Sequence, residues 1–331
     1  MADIALSDTS ATTERATALR RFSRSDAVFR FFTRSSALAI LAIFAGILVT
    51  LIGGAWVSIT QFGVGFLTTS TWNPVTEKFG AWPAIYGTLV SSAIAMILAL
   101  PLGIGIAIFL TEICPRQLKR PIGIAIELLA GIPSIVYGIW GLFILAPYFQ
   151  VNIEQHVIDW FDGIPVLQSL FAGPPYGIGL FTAGLILAIM ILPFIASVTR
   201  DVFETAPPML KEAAYGTGCT TWEVMWRIVL PFTQSGVVGG AMLALGRALG
   251  ETMAVTFVIG NAHTHITANL FAPATTISAT IANEFAEALG NVYPAAIIEC
   301  GLILMGLTFT VLAAAQLMLR GFERRAGGRS A

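Results

Sequence analysis

Charge is scarce in this chain. Its 331 residues include 18 Lys and Arg and 19 Asp and Glu, together 11%, where a soluble domain carries about 25%. With 56% hydrophobic residues and a mean hydropathy of +0.80, there is more apolar surface than one water-soluble core hides. That excludes a cytosolic enzyme, a disordered chain and a nucleic-acid binder. Cysteine is nearly missing: Cys114, Cys219 and Cys300 lie far apart without a CxxC spacing, so neither a disulfide framework nor a thiolate metal site is indicated. The only lysines are Lys78, Lys119 and Lys211, and none follows a glycine. A phosphate-cradling P-loop ends in Gly-Lys-Ser/Thr, so this chain has no such route to ATP hydrolysis. His156, His263 and His265 fall in loops, and the last two make no metal site without further ligands. A net charge of -1 predicts no general affinity for polyanions; charge can act only through its placement.

What the chain has instead is long apolar runs. A helix crosses the hydrocarbon with about 20 apolar residues, and six stretches qualify: Ala37 to Ile59, Ala84 to Leu110, Ile122 to Phe149, Gly179 to Thr199, Ile228 to Ile259 and Pro294 to Leu319. The first exceeds the apolar core of a secretory signal and follows a 36-residue polar arm, which predicts a retained anchor. The expected organisation is an arm at 1–36, a first span with an external loop at 37–83, a membrane domain at 84–320 and a tail at 321–331.

Lys and Arg in short flanking segments are held on the cytoplasmic side. The arm has Arg15, Arg20, Arg21, Arg24, Arg30 and Arg34; the next loop on that side has Arg116, Lys119 and Arg120; the third has Arg200, Lys211 and Arg227; the tail has Arg320, Arg324, Arg325 and Arg329. The opposite side holds Lys78 among Glu77, Glu154, Asp159, Asp162, Glu284 and Glu287. Both termini are therefore predicted to be cytoplasmic. Phe22, Phe29, Phe31 and Phe32 among the arm's arginines suit either an ordinary anchor or a segment lying on an anionic leaflet. Outside, Gln150 to Ile178, with Trp160 and the turn Gly173-Pro174-Pro175, reads as a folded loop or short hairpin. Ile277, Ile281, Phe285 and Leu289 repeat every fourth residue before Gly290, the pattern of an amphipathic helix with a glycine cap.

Between the fourth and fifth runs, Pro207 and Pro208 suit a helix start, Ala213 and Ala214 permit close approach by another surface, and Gly218 can take the positive φ that ends a short helix. Thr220 followed by Glu223 is a capping box opening the next helix. The spacing of Glu212-Ala213-Ala214, Gly218, Ile228 and Leu230-Pro231 resembles the EAA loop (207–231) of permeases in binding-protein-dependent ABC importers. The resemblance implies that Glu212, Ala213, Ala214 and Gly218 belong to a coupling helix that docks on a separate ATPase subunit, with Glu212 as the polar anchor.

One charge stands inside a predicted span. Arg247 lies 16 residues after Pro231 and 13 before Gly260, where an unpaired charge costs at least about 2.5 kcal/mol. On a continuous helix Gly236, Gly240, Arg247 and Glu251 share one sector within about 60°, facing protein or a pathway, while Val238, Leu245 and Leu249 fall opposite. Arg247 and Glu251 either neutralise each other or serve a ligand, the planar arginine fork matching an oxyanion and Glu251 holding that fork when no anion is present. In the third run Pro133 removes a helical hydrogen bond and Ser134 can satisfy the freed groups, as a cavity wall or a kink. Glu127 and Glu299 read as residues reaching the interface.

The stretches from Leu245 to Phe257, from Ala130 to Gly138 and from Ala282 to Ala288 resemble the PstC family, permease subunits of bacterial phosphate ABC importers; the resemblance covers roughly 84 to 320. It implies an all-α, multi-pass protein of the cytoplasmic (inner) membrane, with six transmembrane helices in a MetI-like type I importer fold. It also implies a heterodimer with a PstA-like permease, two PstB-like ATPase subunits that use ATP and Mg, and a PstS-like periplasmic phosphate-binding protein. Arg247, Glu251, Thr252 and Ser134 would line the substrate pathway, and the chain itself would bind no cofactor or metal and catalyse no reaction. Rival expectations are a permease for another oxyanion or small solute, and a secondary transporter or channel, which would need no ATPase.

Overall fold

A computed structural model describes residues 2–161, 163–171, 174–263 and 268–327, with side chains at all of these positions but 2–25, 27, 165–167 and 318–327. Asp162, Gly173 and His265, Arg15 to Arg24 with Phe22, and the tail cations from Arg320 onward therefore lie outside the described residues or side chains. Among the described residues the chain is helical, with isolated bridges at Asn73–Lys78 and Gly260–Ala274 and no strand.

The chain divides into two compact units, Met1–Gly53 and Gly54–Ala331. The first is the leading part of helix α1, Ala2–Phe62, and its described side chains are almost all exposed, Phe29, Leu38 and Ile40 among them. Arg30 pairs with Asp26 one turn earlier.

The second unit contains α2 (Trp82–Ile113), α3 (Arg116–Ala130), α4 (Ser134–Phe161), α5 (Leu180–Glu204), α6 (Pro208–Gly216), α7 (Thr221–Leu249), α8 (Met253–Val258), α9 (Ile277–Glu284) and α10 (Val292–Gly327). Among the described residues six helices are long and apolar enough to cross a membrane: α2, α4, α5 and α7, with Val28–Phe62 of α1 and Val292–Leu317 of α10. Helix α5 is the axis of this unit, with Ile186, Leu187 and Ile191 fully buried. Glycines let its neighbours approach: Gly103 of α2 faces Ile195, and Gly236 and Gly240 of α7 face Val202 and Val198. In lipid, where apolar burial drives little, such small-residue contacts provide close van der Waals packing.

Two predicted spans are corrected. Ile122 to Phe149 is not one helix: α3 stops at Ala130 and α4 starts at Ser134, because Pro133 has no N–H to continue the ladder and pushes the preceding residue out of helical geometry. Ile228 to Ile259 is likewise broken: α7 starts earlier, at Thr221, and ends at Leu249, and α8 begins at Met253. Gly250 at the break has no side chain to hold the helix. Past Gln150, α4 runs on to Phe161 and a short helix, Pro165–Phe171, folds back with Phe161 and Phe171 stacked at 5.3 Å, so the segment after Gln150 is a helical hairpin. Helix α9 ends at Glu284, not at Gly290; Ile277 is buried, whereas Phe285 and Leu289 project outward. Gly290 does take a positive φ, +80°.

Candidate functional site

The α3–α4 and α7–α8 breaks meet. Gly138, one turn into α4, lies so close to α8 that an added Cβ would stand 2.9 Å from Phe257, 3.0 Å from the Ala254 Cα and 3.1 Å from the Met253 carbonyl. The Tyr137 hydroxyl donates to the Leu129 carbonyl at 2.9 Å, tying the two sides of the first break. Ser134, at the start of α4, and Thr252, the residue before α8, are both half-buried.

The local chemistry explains why Arg247 and Glu251 do not join. Gly250 ends the helix, so the one-turn relation expected between the two residues does not exist. Glu251 instead accepts from the Ala254 N–H at 3.3 Å, at the start of α8. Arg247 occupies the last turn of α7 and is exposed. Among the described residues no ion pair or hydrogen bond engages its guanidinium. Each charge thus stands at the helix end that favours its sign, the cation at a C-terminus and the carboxylate at an N-terminus. Mutual neutralisation, one of the two expected readings, is not what forms: two separate helix-end interactions stand in its place. The sector assignment holds for Gly236 and Gly240, which face α5, and ends at Gly250.

The coupling segment folds as its residues dictate. Helix α6 begins after Pro207, and Gly218 takes φ +90°. The Cys219 N–H returns to the Ala214 carbonyl at 3.1 Å, closing the end. Thr220 and Glu223 form the reciprocal capping box that starts α7. The two alanines divide: Ala214 is buried against Phe203, Val224 and Met225, while Ala213 is exposed with Glu212 and Met209. Among the described residues Glu212 has no ion-pair or hydrogen-bond partner. Beneath them, Lys211 Nζ reaches Glu112 Oε1 at 2.6 Å, and the Tyr215 hydroxyl lies 3.4 Å from Glu112 Oε2. Glu112 is a positioning residue that sequence reasoning missed. It ends α2, 99 residues before Lys211, and no local pattern links them. Gly138 and Tyr137 were missed as individual residues within a recognised motif; the signal was a glycine and a tyrosine directly after a proline break.

One acid is placed differently from expectation. Glu299 does not reach an interface: it is 6% exposed, and its Oε2 has no partner among the described residues. Glu154 is 0% exposed, with Oε2 accepting from the Gly177 N–H at 2.8 Å. Glu127 does reach outward, where it binds Arg200 at 2.8 Å. After α8, His263 stacks on Trp72 at 5.7 Å, with its Nε2 3.5 Å from Glu284 Oε1, and the Tyr293 hydroxyl donates to the same carboxylate. Burial holds the His263 imidazole below its usual range, and Glu284 opposes that shift. No cluster of three or more His, Cys, Asp or Glu able to hold a metal occurs among the described residues.

Comparison with known proteins places this arrangement. The model for binding-protein-dependent transport system inner membrane components matches residues 99–324. A phosphate transport system permease protein PstC of Mesorhizobium japonicum is 62% identical over 93% of this chain and 94% of its own length. The protein of that name from Pasteurella multocida is 55% identical over 91% and 93%. Among solved structures, a bacterial alginate ABC transporter in complex with alginate pentasaccharide-bound periplasmic protein aligns with a TM-score of 0.59 at 18% identity, over 88% of this chain and 95% of that one. The inward-facing methionine transporter MetNI aligns with a TM-score of 0.52 at 18% identity, over 73% and 94%. At that identity these two structures establish the fold alone, the MetI-like permease bundle. The matched residues contain α6 and both helix breaks, and with them the chain belongs to the family of binding-protein-dependent transport system inner membrane components, multi-pass permeases of ABC importers.

Proposed function

We propose that the chain is the permease subunit that carries inorganic phosphate across the cytoplasmic membrane, forming half of a translocation pathway with a PstA-like permease. Two PstB-like subunits hydrolyse ATP with Mg, and a PstS-like binding protein delivers the anion from outside. The observation that carries the reading is Arg247, an exposed guanidinium at the junction of two broken helices with no acid spent on it among the described residues. A fixed planar fork matches two oxygens of a tetrahedral oxyanion. The high identity to proteins named for phosphate transport supports the same solute.

In this mechanism the chain makes and breaks no covalent bonds. Loaded binding protein docks on the outer loops, where Phe285 and Leu289 project. Closure of the ATPase subunits pushes on Glu212, Ala213 and the rest of α6, whose Gly218 end is a fixed turn. The Glu112–Lys211 contact passes that push to α2, and Ala214 passes it to the buried cluster at the base of α5 and α7. The Arg247 region, with Ser134, Glu251 and Thr252 about it, then opens to one side or the other. Both termini remain on the cytoplasmic side, as the basic residues predict.

The test is radiolabelled-phosphate uptake into proteoliposomes holding all four components. Uptake that needs ATP, is lost in Arg247→Ala with the complex intact, and is not competed by sulfate supports the reading. Undiminished phosphate uptake by that variant rejects Arg247, and preferential competition by another oxyanion rejects the solute. Uptake without the ATPase rejects the importer architecture.

A further inference from the structure

At the end of the unit that carries α6, a recess of about 350 Å³ is lined by Arg116, Lys119 and Arg120 of α3, by Arg200 of α5, and by Glu127 and Glu204. Both carboxylates are already engaged: Lys119 binds Glu204 at 2.9 Å, and Arg200 binds Glu127 at 2.8 Å while also holding Asp201 at 2.7 Å. Among the described residues no ion pair or hydrogen bond engages Arg116 or Arg120. Two guanidinium forks are therefore left over in a recess that four cations share.

Their position sharpens the problem. All three α3 cations fall in its first five residues, at the helix end where the macrodipole disfavours positive charge. The spacings of three and four place Arg116, Lys119 and Arg120 on one face, where like charges repel. Nothing local offsets this: the residue before the helix is Pro115, no side chain caps the start, and the first turn has no acid. A preference for cations on one side of a membrane accounts for which end of a span they occupy. It does not account for their convergence with Arg200, from another helix, on one recess. Gly123 makes that convergence possible, since a Cβ there would stand 2.7 Å from the Arg200 guanidinium.

We propose that this recess binds a phosphate group, held by the forks of Arg116 and Arg120 with Lys119 and Arg200 behind them. An oxyanion there supplies the negative charge that the start of α3 lacks and accepts donors from both free forks. Its source is either the headgroup of an anionic phospholipid, whose chains would lie along the exposed Leu118, Ile124 and Leu128 of α3, or free inorganic phosphate. The site is separate from Arg247 and stands whether or not phosphate is the transported solute.

The test uses the full chain, purified with the subunits that accompany it, in phosphatidylcholine nanodiscs. One arm adds phosphatidylglycerol to the bilayer; the other adds inorganic phosphate at constant ionic strength and is repeated in Arg247→Ala, so that binding in the proposed pathway is subtracted. Arg116→Gln/Arg120→Gln is compared with Arg324→Gln/Arg325→Gln, which removes the same charge from the tail. The expected result is a rise in melting temperature with one of the two probes, and an apparent affinity that falls about tenfold or more in the α3 variant and less than about twofold in the tail variant. A response to phosphatidylglycerol alone identifies a lipid headgroup, and a response to phosphate in neutral lipid identifies the free ion; either supports the site. In neutral lipid without phosphate the α3 variant should melt at or above the wild type, since it has shed unfavourable charge. No response to either probe, or equal losses in the α3 and tail variants, overturns the proposal.

Discussion

Around α6, Lys211 has its carboxylate in Glu112, Ala214 is sealed against Phe203 and Val224, and a complete capping box starts the following helix. Around the α7–α8 break, an arginine and a glutamate four residues apart make no pair, and both helices involved are interrupted. The first region is closed by packed and paired contacts. The second keeps its polar groups partly unsatisfied within a hydrophobic bundle. Irregular backbone at such depth is tolerated where it lines a cavity or is buried in protein, and broken helices expose the ends that bind ions. On the function proposed above, the first region is the one that would transmit motion and the second the one that would meet the solute.

The contrast breaks most decisively at Arg247. Arg247→Ala should lower phosphate uptake by about a hundredfold or more, because two charge-assisted hydrogen bonds are worth about 3 to 4 kcal/mol together. The complex should still assemble, since no contact within the chain depends on that fork. Recovery of all subunits from mild detergent, with uptake assayed on the same sample, separates lost transport from lost assembly.

Gly138→Ala comes next. Its Cβ would press on the Ala254 Cα and the Met253 carbonyl, backbone atoms that cannot swing aside, at a cost of about 1 to 3 kcal/mol. The expected outcome is a lower melting temperature together with reduced uptake; a variant that melts and transports as the wild type would show that the two breaks need not touch.

At the coupling end, Glu112→Gln removes the partner of a half-buried lysine and should cost about 1 to 2 kcal/mol. The readout is ATP hydrolysed per phosphate moved, expected to rise several-fold. Lys211→Met should produce the same change, and the double variant should add little. Additive losses would dissolve the proposed clamp.

The smallest effect belongs to the cluster around His263. The His263 imidazole is held below its usual range by burial, against the pull of Glu284, so the folded chain resists a proton that the unfolded chain accepts. Stability should be flat above about pH 7 and fall as the pH drops below about 6.5. Melting curves of wild type and His263→Gln from about pH 7.5 down to about pH 5 give the check: the variant should lose less stability on acidification.

Much of this was legible because it is local. The α5 run from Gly179 to Thr199, the Gly218 turn and the Thr220–Glu223 cap depend on neighbours within a few residues, and each forms where its pattern stands. Only the first break was half legible: Pro133 was visible as a weak point, whereas the run through Gly250 was read as one continuous helix, because apolar residues continue across both and hydropathy does not register a three-residue interruption. The consequence was an expected Arg247–Glu251 pair that a helix ending at Leu249 cannot make. Glu299 was misplaced for a related reason, since distance from the end of a span does not report what packs around it.

By itself the sequence determined that this is a membrane protein with six apolar runs, cations gathered predominantly on one side and a short helix suited to a partner. Those properties follow from composition, period and spacing, which act along the chain. Only the tertiary structure decided that two helix breaks lie against each other, that Arg247 is left without an acid, that Glu112 anchors Lys211 and that four cations share one recess. These are meetings between residues 70 to 120 positions apart, fixed by which helices pack together, and no local preference records them.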